Sequence, residues 1–242
     1  MARRGGAQRH LRAAPTRDVE KRVLIVCEGE VTEVEYLRAL ITWARQPAID
    51  VVVVGLAVDP LTLVDEAIAR RGADADAWDD VWCCFDVDDF GLRVGRAREK
   101  AKAHSVKMAM SNPCFELWLY LHHHDSPGMR TTAEMQRLFC MSTTGVDAKH
   151  VDFDALQAGY GAAVRRAKKL YEDAIAVDEP MRNPLTEVYR LTESIVAAGR
   201  DGLGIVQQAR QRRTDEDRAR AEAAAARAMQ QARDEGFDEG DQ

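Results

Sequence analysis

The sequence predicts an α/β protein: a mostly parallel sheet flanked by helices, followed by a helical C-terminal part. Three observations carry that expectation. Short apolar runs of strand length recur through the first half of the chain, as expected of strands buried on both faces. Segments with apolar residues at helical spacing lie between them. From Pro113 onward the strand-like runs stop and the pattern becomes helical. Strands that alternate with helices imply parallel pairing, with helices on both faces.

In order, Val23–Cys27 reads as the first strand, and Val31–Trp43 as a helix carrying Val34, Leu37, Leu40 and Ile41. Asp50–Leu56 is the second strand, with Val51 to Val54 in succession. Pro60 stands where helices favour proline, ahead of a stripe of Leu61, Val64, Ala67 and Ile68. Val81–Phe85 is the third strand, Phe90–Ala103 a basic helix and Val106–Met110 a short fourth strand. Helices are then expected at Pro113–Leu121, Thr132–Cys140, Phe153–Ala176 and Asn183–Ala198. The chain divides into a basic arm (1–21), the α/β core (22–125), a helical extension packed on it (126–200) and a charged helix or tail rich in Ala, Arg and Glu (201–242).

A net charge of −6 argues against a surface that is basic all round. The charge is uneven, because residues 1–22 hold seven Arg or Lys against Asp18 and Glu20. Such an arm is either solvated or a contact for phosphate. The cysteines, Cys27, Cys83, Cys84, Cys114 and Cys140, are odd in number and show no CxxC spacing. They read as reduced core residues, which places the protein in the cytoplasm. No apolar run approaches the roughly eighteen residues of a membrane span, and the arginines near the start precede no apolar signal core.

Two strand ends stand out. The first apolar run stops at Glu28-Gly29-Glu30, with Thr32 and Glu33 just beyond, and the third stops at Asp86-Val87-Asp88-Asp89. In open α/β sheets ligands gather beyond the carboxyl ends of the strands. Two acidic strand ends on one edge therefore point to a single pocket for a divalent metal. Mg²⁺ takes hard oxygen ligands, so one or two carboxylates per ion suffice. Helix capping and dipole compensation explain Glu30 and Glu33 equally well, but they leave Glu28 at the strand tip unexplained.

Ser111-Asn112-Pro113 would cap the helix after the fourth strand, and Glu116 would lie in its first turn at the same edge, as a ligand or as dipole compensation. Of His122, His123 and His124, one at most could reach the pocket, since adjacent helical residues diverge. Arg93 and Arg96 on the basic helix, with Lys107, Asn112 and Lys149, are candidates for holding substrate.

The string Leu24–Glu33, with Trp82–Asp89, Ser111–Leu119 and Asn183–Val188, closely resembles the RloB-like family over about residues 22–200. That family is similar to Toprim domains, especially those of OLD-type nucleases. The resemblance implies a Toprim-like core. It implies that Glu28, Asp86 and Asp88 are catalytic, and that Glu28, Glu33, Asp86, Asp88 and, less directly, Glu116 bind metal. The implied cofactor is Mg²⁺ or Mn²⁺, and the implied activity is hydrolysis of phosphodiester bonds in DNA or RNA. It also implies an ATPase partner in a bacterial defence system. Two rival expectations are a non-catalytic adaptor that binds a metal–nucleotide complex beside such an ATPase, and a Toprim-type nucleotidyltransferase.

Overall fold

The computed structural model describes residues 21–44, 49–55, 58–72, 78–87, 91–142 and 150–197, and position 218. Asp88 and Lys149 lie outside the described residues, as do arm residues 1–20 and all but one residue of 201–242.

Seven elements alternate as the apolar runs require: β1 (Lys21–Cys27), α1 (Thr32–Trp43), β2 (Ile49–Gly55), α2 (Pro60–Arg71), β3 (Asp80–Asp86), α3 (Gly91–Ala103) and β4 (Lys107–Asn112). There follow α4 (Glu116–Tyr120), α5 (Thr132–Ser142), α6 (Phe153–Gln157), α7 (Tyr160–Ala176), β5 (Leu185–Thr186) and a helical stretch at 188–197. The sheet order is β2-β1-β3-β4-β5, parallel except for β5.

The strands bury both faces, as continuous apolar runs should. Val23, Ile25, Cys27, Trp82, Cys84 and Ala109 face one apolar cluster, which α1, α4 and α7 complete with Leu37, Trp118 and Ala163. Leu24, Val26, Val81, Cys83, Phe85 and Met110 face the other, completed by Leu63 of α2 and Val94 of α3. The chain leaves β1 for β2 on one side and places β3 on the other. The β1–β3 gap is thus the point where the strand order reverses, and doubly wound sheets open a crevice there.

The helical part departs from its sequence pattern in three places. The Phe153–Ala176 stripe breaks into α6 and α7 around Gly159. A Cβ there would lie 2.2 Å from the His122 carbonyl oxygen, so only glycine allows this approach. Asn183–Ala198 does not start as a helix. Leu185 and Thr186 add an antiparallel edge to β4, and the helix begins at 188. The helix after β4 begins at Glu116 rather than Pro113, and Asn112 and Pro113, joined by a cis peptide, precede it. Among the described residues no helix is long and apolar enough to cross a membrane.

Candidate metal centre

β1 ends at Cys27, and the next backbone N–H, that of Glu28, still donates to the Cys84 carbonyl at 2.8 Å. This holds Glu28 against β3, where its carboxylate accepts the backbone N–H of Asp86 at 3.0 Å. Gly29 then turns the chain. Its N–H donates to the Glu33 carboxylate at 3.2 Å, and a Cβ at this position would overlap that same carboxylate. Gly55, at the end of β2, is needed for the same turn: a Cβ there would sit 2.5 Å from both the Gly29 carbonyl oxygen and the Glu30 Cα. The loop carrying Glu28 and Glu30 therefore rests directly on the neighbouring strand.

β4 brings the third group. Ser111 pairs in register with Asp86, and its hydroxyl bonds the Thr186 hydroxyl at 2.9 Å. The chain continues through Pro113 to Cys114, which is fully buried, and Glu116, which is buried in the first turn of α4. Potential ligand atoms of Asp86, Cys114 and Glu116 all lie within 4.8 Å of one another. Glu33, also buried, is close enough to feel the charge of Glu116. Burial pushes the Glu33 carboxyl above its usual pKa and the Glu116 charge adds to this, against hydrogen bonds from its own N–H and that of Gly29. Burial, with the charges of Glu116 and Asp86, likewise raises the Cys114 thiol far above its ordinary value.

Of the expected ligands the structure brings Asp86 and Glu116 into one group, while Glu28 bonds the Asp86 backbone and Glu33 the Gly29 backbone, both outside that group. The tight ligand group, however, includes a thiol that the sequence reading assigned to the core. Ser-Asn-Pro-Cys-Phe reads as a cap followed by a small buried residue, and the only local cue to Cys114 was its position two residues before Glu116.

Other expected site residues lie elsewhere. Lys107 starts β4, at the amino end of the strand, and pairs with Asp80 beneath the Trp82 ring, so it stands at the edge opposite the acidic cluster. Asn112 does not cap a helix: its side-chain N–H donates to the Met181 carbonyl at 2.7 Å, and Phe115 occupies the cap position. Arg93 and Arg96 are exposed on α3. On the same helix Arg98 is held by the buried Glu187 at 3.2 Å, and Lys100 pairs with Asp65. His122 is a core residue. Its Nδ1–H donates to the Leu156 carbonyl at 2.8 Å, and its Nε2 accepts the Tyr36 hydroxyl at 3.1 Å. A cavity of about 330 Å³ is lined by Asn112, Pro113, Arg130 and Asn183, and none of the ligand group lines it.

The donor set fits a divalent ion. No Lys or Arg among the described residues pairs with Glu33 or Glu116. Burial and repulsion from Glu116 disfavour the charged form of Glu33, and a bound cation would relieve both. The profile of the RloB-like protein family matches residues 23–195. The chain belongs to the RloB-like family. No curated protein and no solved structure matches it. In this RloB-like chain the matched span runs from within β1 into the helix after β5, so it contains every residue of the centre.

Proposed function

We propose that this RloB-like protein is a metal-dependent nuclease that hydrolyses phosphodiester bonds in DNA or RNA, with Mg²⁺ or Mn²⁺ as cofactor. One observation carries the reading: Glu116, buried and without a cationic partner among the described residues, lies within 4.8 Å of Asp86 and Cys114 at the strand-order reversal. A divalent ion bound there supplies Lewis-acid stabilisation of the charge that develops on phosphate oxygens.

Asp86 and Glu116 would hold the ion, with Glu33 buried near Glu116. Asp88 joins them by its resemblance to the Toprim motif. Glu28, fixed on the Asp86 N–H, would accept a proton from an attacking water. Arg93 and Arg96, exposed on α3 just beyond β3, would hold flanking phosphates, and the cavity beside Asn112 leaves room for a nucleotide. Service beside an ATPase in a defence system rests on the family resemblance.

The test is cleavage of DNA and of tRNA by the full chain with Mn²⁺ or Mg²⁺, alongside Glu28→Ala and Asp86→Ala. Metal-dependent cleavage that falls about a hundredfold or more in both variants is the expected result. Equal activity in all three would remove the assignment. Nucleotide incorporation without strand cleavage would favour a nucleotidyltransferase, and metal binding with no turnover on any nucleic acid would favour an adaptor.

A further inference from the structure

Cys114 enters the candidate centre through geometry alone. Its sulfur lies within 4.8 Å of carboxylate oxygens of both Asp86 and Glu116, which are equally close to each other. Atoms that share one ion at bond lengths of about 2.0–2.3 Å are separated by at most about twice that length. The three atoms therefore lie close to the spacing that one shared ion requires, and small side-chain rotations would close the rest.

The thiol's surroundings point the same way. Cys114 is 0% exposed and Glu116 is 8% exposed. The Cys114 thiol hydrogen-bonds the Glu116 carboxylate, and no ion pair among the described residues offsets that charge. Among the described residues no cation accompanies this buried carboxylate, and a bound ion would offset its charge. All-oxygen sites suit Mg²⁺, a hard ion, whereas a sulfur ligand shifts affinity toward softer first-row ions.

We propose that Cys114 ligates the metal through its sulfur, and that this ligand makes the centre select Mn²⁺ and more thiophilic divalent ions over Mg²⁺. On ligation the thiol releases its proton to solvent and the sulfur lone pair fills the coordination position; no oxidant takes part. The inference rests on the metal-dependent reading above and adds the choice of ion to it.

The experiment titrates Cd²⁺ into the metal-free full chain while following the ultraviolet sulfur-to-cadmium charge-transfer band. Calorimetry then compares Mn²⁺ with Mg²⁺. Wild type should show the band and bind Mn²⁺ about tenfold or more tightly than Mg²⁺. Cys114→Ser should lose the band and most of that preference. Cys114→Asp should bind both ions with a ratio near unity, which shows that the centre still forms. Cys140→Ser, which alters a partly exposed cysteine outside the centre, should match wild type. A full band in Cys114→Ser, or an unchanged Mn²⁺/Mg²⁺ ratio in both Cys114 variants, would overturn sulfur ligation and leave the metal centre standing. A wild type that binds no divalent ion would overturn both.

Discussion

The Glu28 carboxylate accepts the backbone N–H of Asp86 at 3.0 Å, joining two strand ends separated by 58 residues of sequence. The bond couples two features that would otherwise be set independently, the tip of β1 and the end of β3. Glu28→Gln keeps an acceptor for that N–H but removes the charge, whereas Glu28→Ala removes both. The alanine variant is expected to lose about 1 kcal/mol in denaturant unfolding, which the glutamine variant regains. Both should lose about a hundredfold or more in single-turnover cleavage, because neither can accept a proton.

Gly55 supports the same loop from beneath. An alanine Cβ would meet backbone atoms of Gly29 and Glu30 at 2.5 Å, and backbone cannot swing aside as a side chain can. Gly55→Ala is expected to cost about 1–3 kcal/mol and to weaken divalent-ion binding together with stability. Thermal unfolding with and without Mn²⁺ checks this. An unchanged midpoint would show that the loop does not rest on β2.

His122 predicts a pH dependence. Burial, helped by nearby His123 and Arg166, pushes its pKa down to about 4 against the hydrogen bond to Leu156. The folded pKa lies below the unfolded value of about 6.5, so the folded state disfavours the charged ring. Its contribution is present above pH 6.5 and is lost as pH falls through that value toward about 4. Between pH 7.5 and 4.5 wild type should lose on the order of 2 kcal/mol more than His122→Gln, which stays neutral throughout. Equal losses in urea unfolding would mean that the ring is not held neutral.

Lys107 is the negative control. It lies at the amino edge of the sheet and pairs with Asp80, far along β4 from Ser111 and Asn112. Lys107→Ala should leave cleavage within about twofold of wild type and change stability by no more than about 1 kcal/mol. Arg96→Ala, on exposed α3, should instead reduce the salt dependence of nucleic-acid binding, since each phosphate contact adds to that slope. Binding titrations at two salt concentrations separate the two outcomes.

The strands were legible because each is a continuous apolar run, and continuity is what burial on both faces demands. The acidic edge was legible for the same reason: carboxylates directly after such runs have only one edge to occupy. What failed depended on contacts distant in sequence. Leu185 and Thr186 form a strand only because β4 offers them an edge. Position 159, between α6 and α7, must be glycine because the His122 carbonyl lies where a side chain would stand. Asn112 has the composition of a cap, but the Met181 carbonyl takes its side chain. Cys114 has the local signature of any small core residue, and only the fold places Asp86 beside it.

The central claim is that Asp86 and Glu116 hold a divalent ion, and calorimetric titration of Mn²⁺ into wild type, Asp86→Ala and Glu116→Gln tests it most directly. The expected result is saturable binding by wild type, weakened about tenfold or more in each variant, with both variants still folded. Binding of equal affinity and stoichiometry in all three proteins would contradict it.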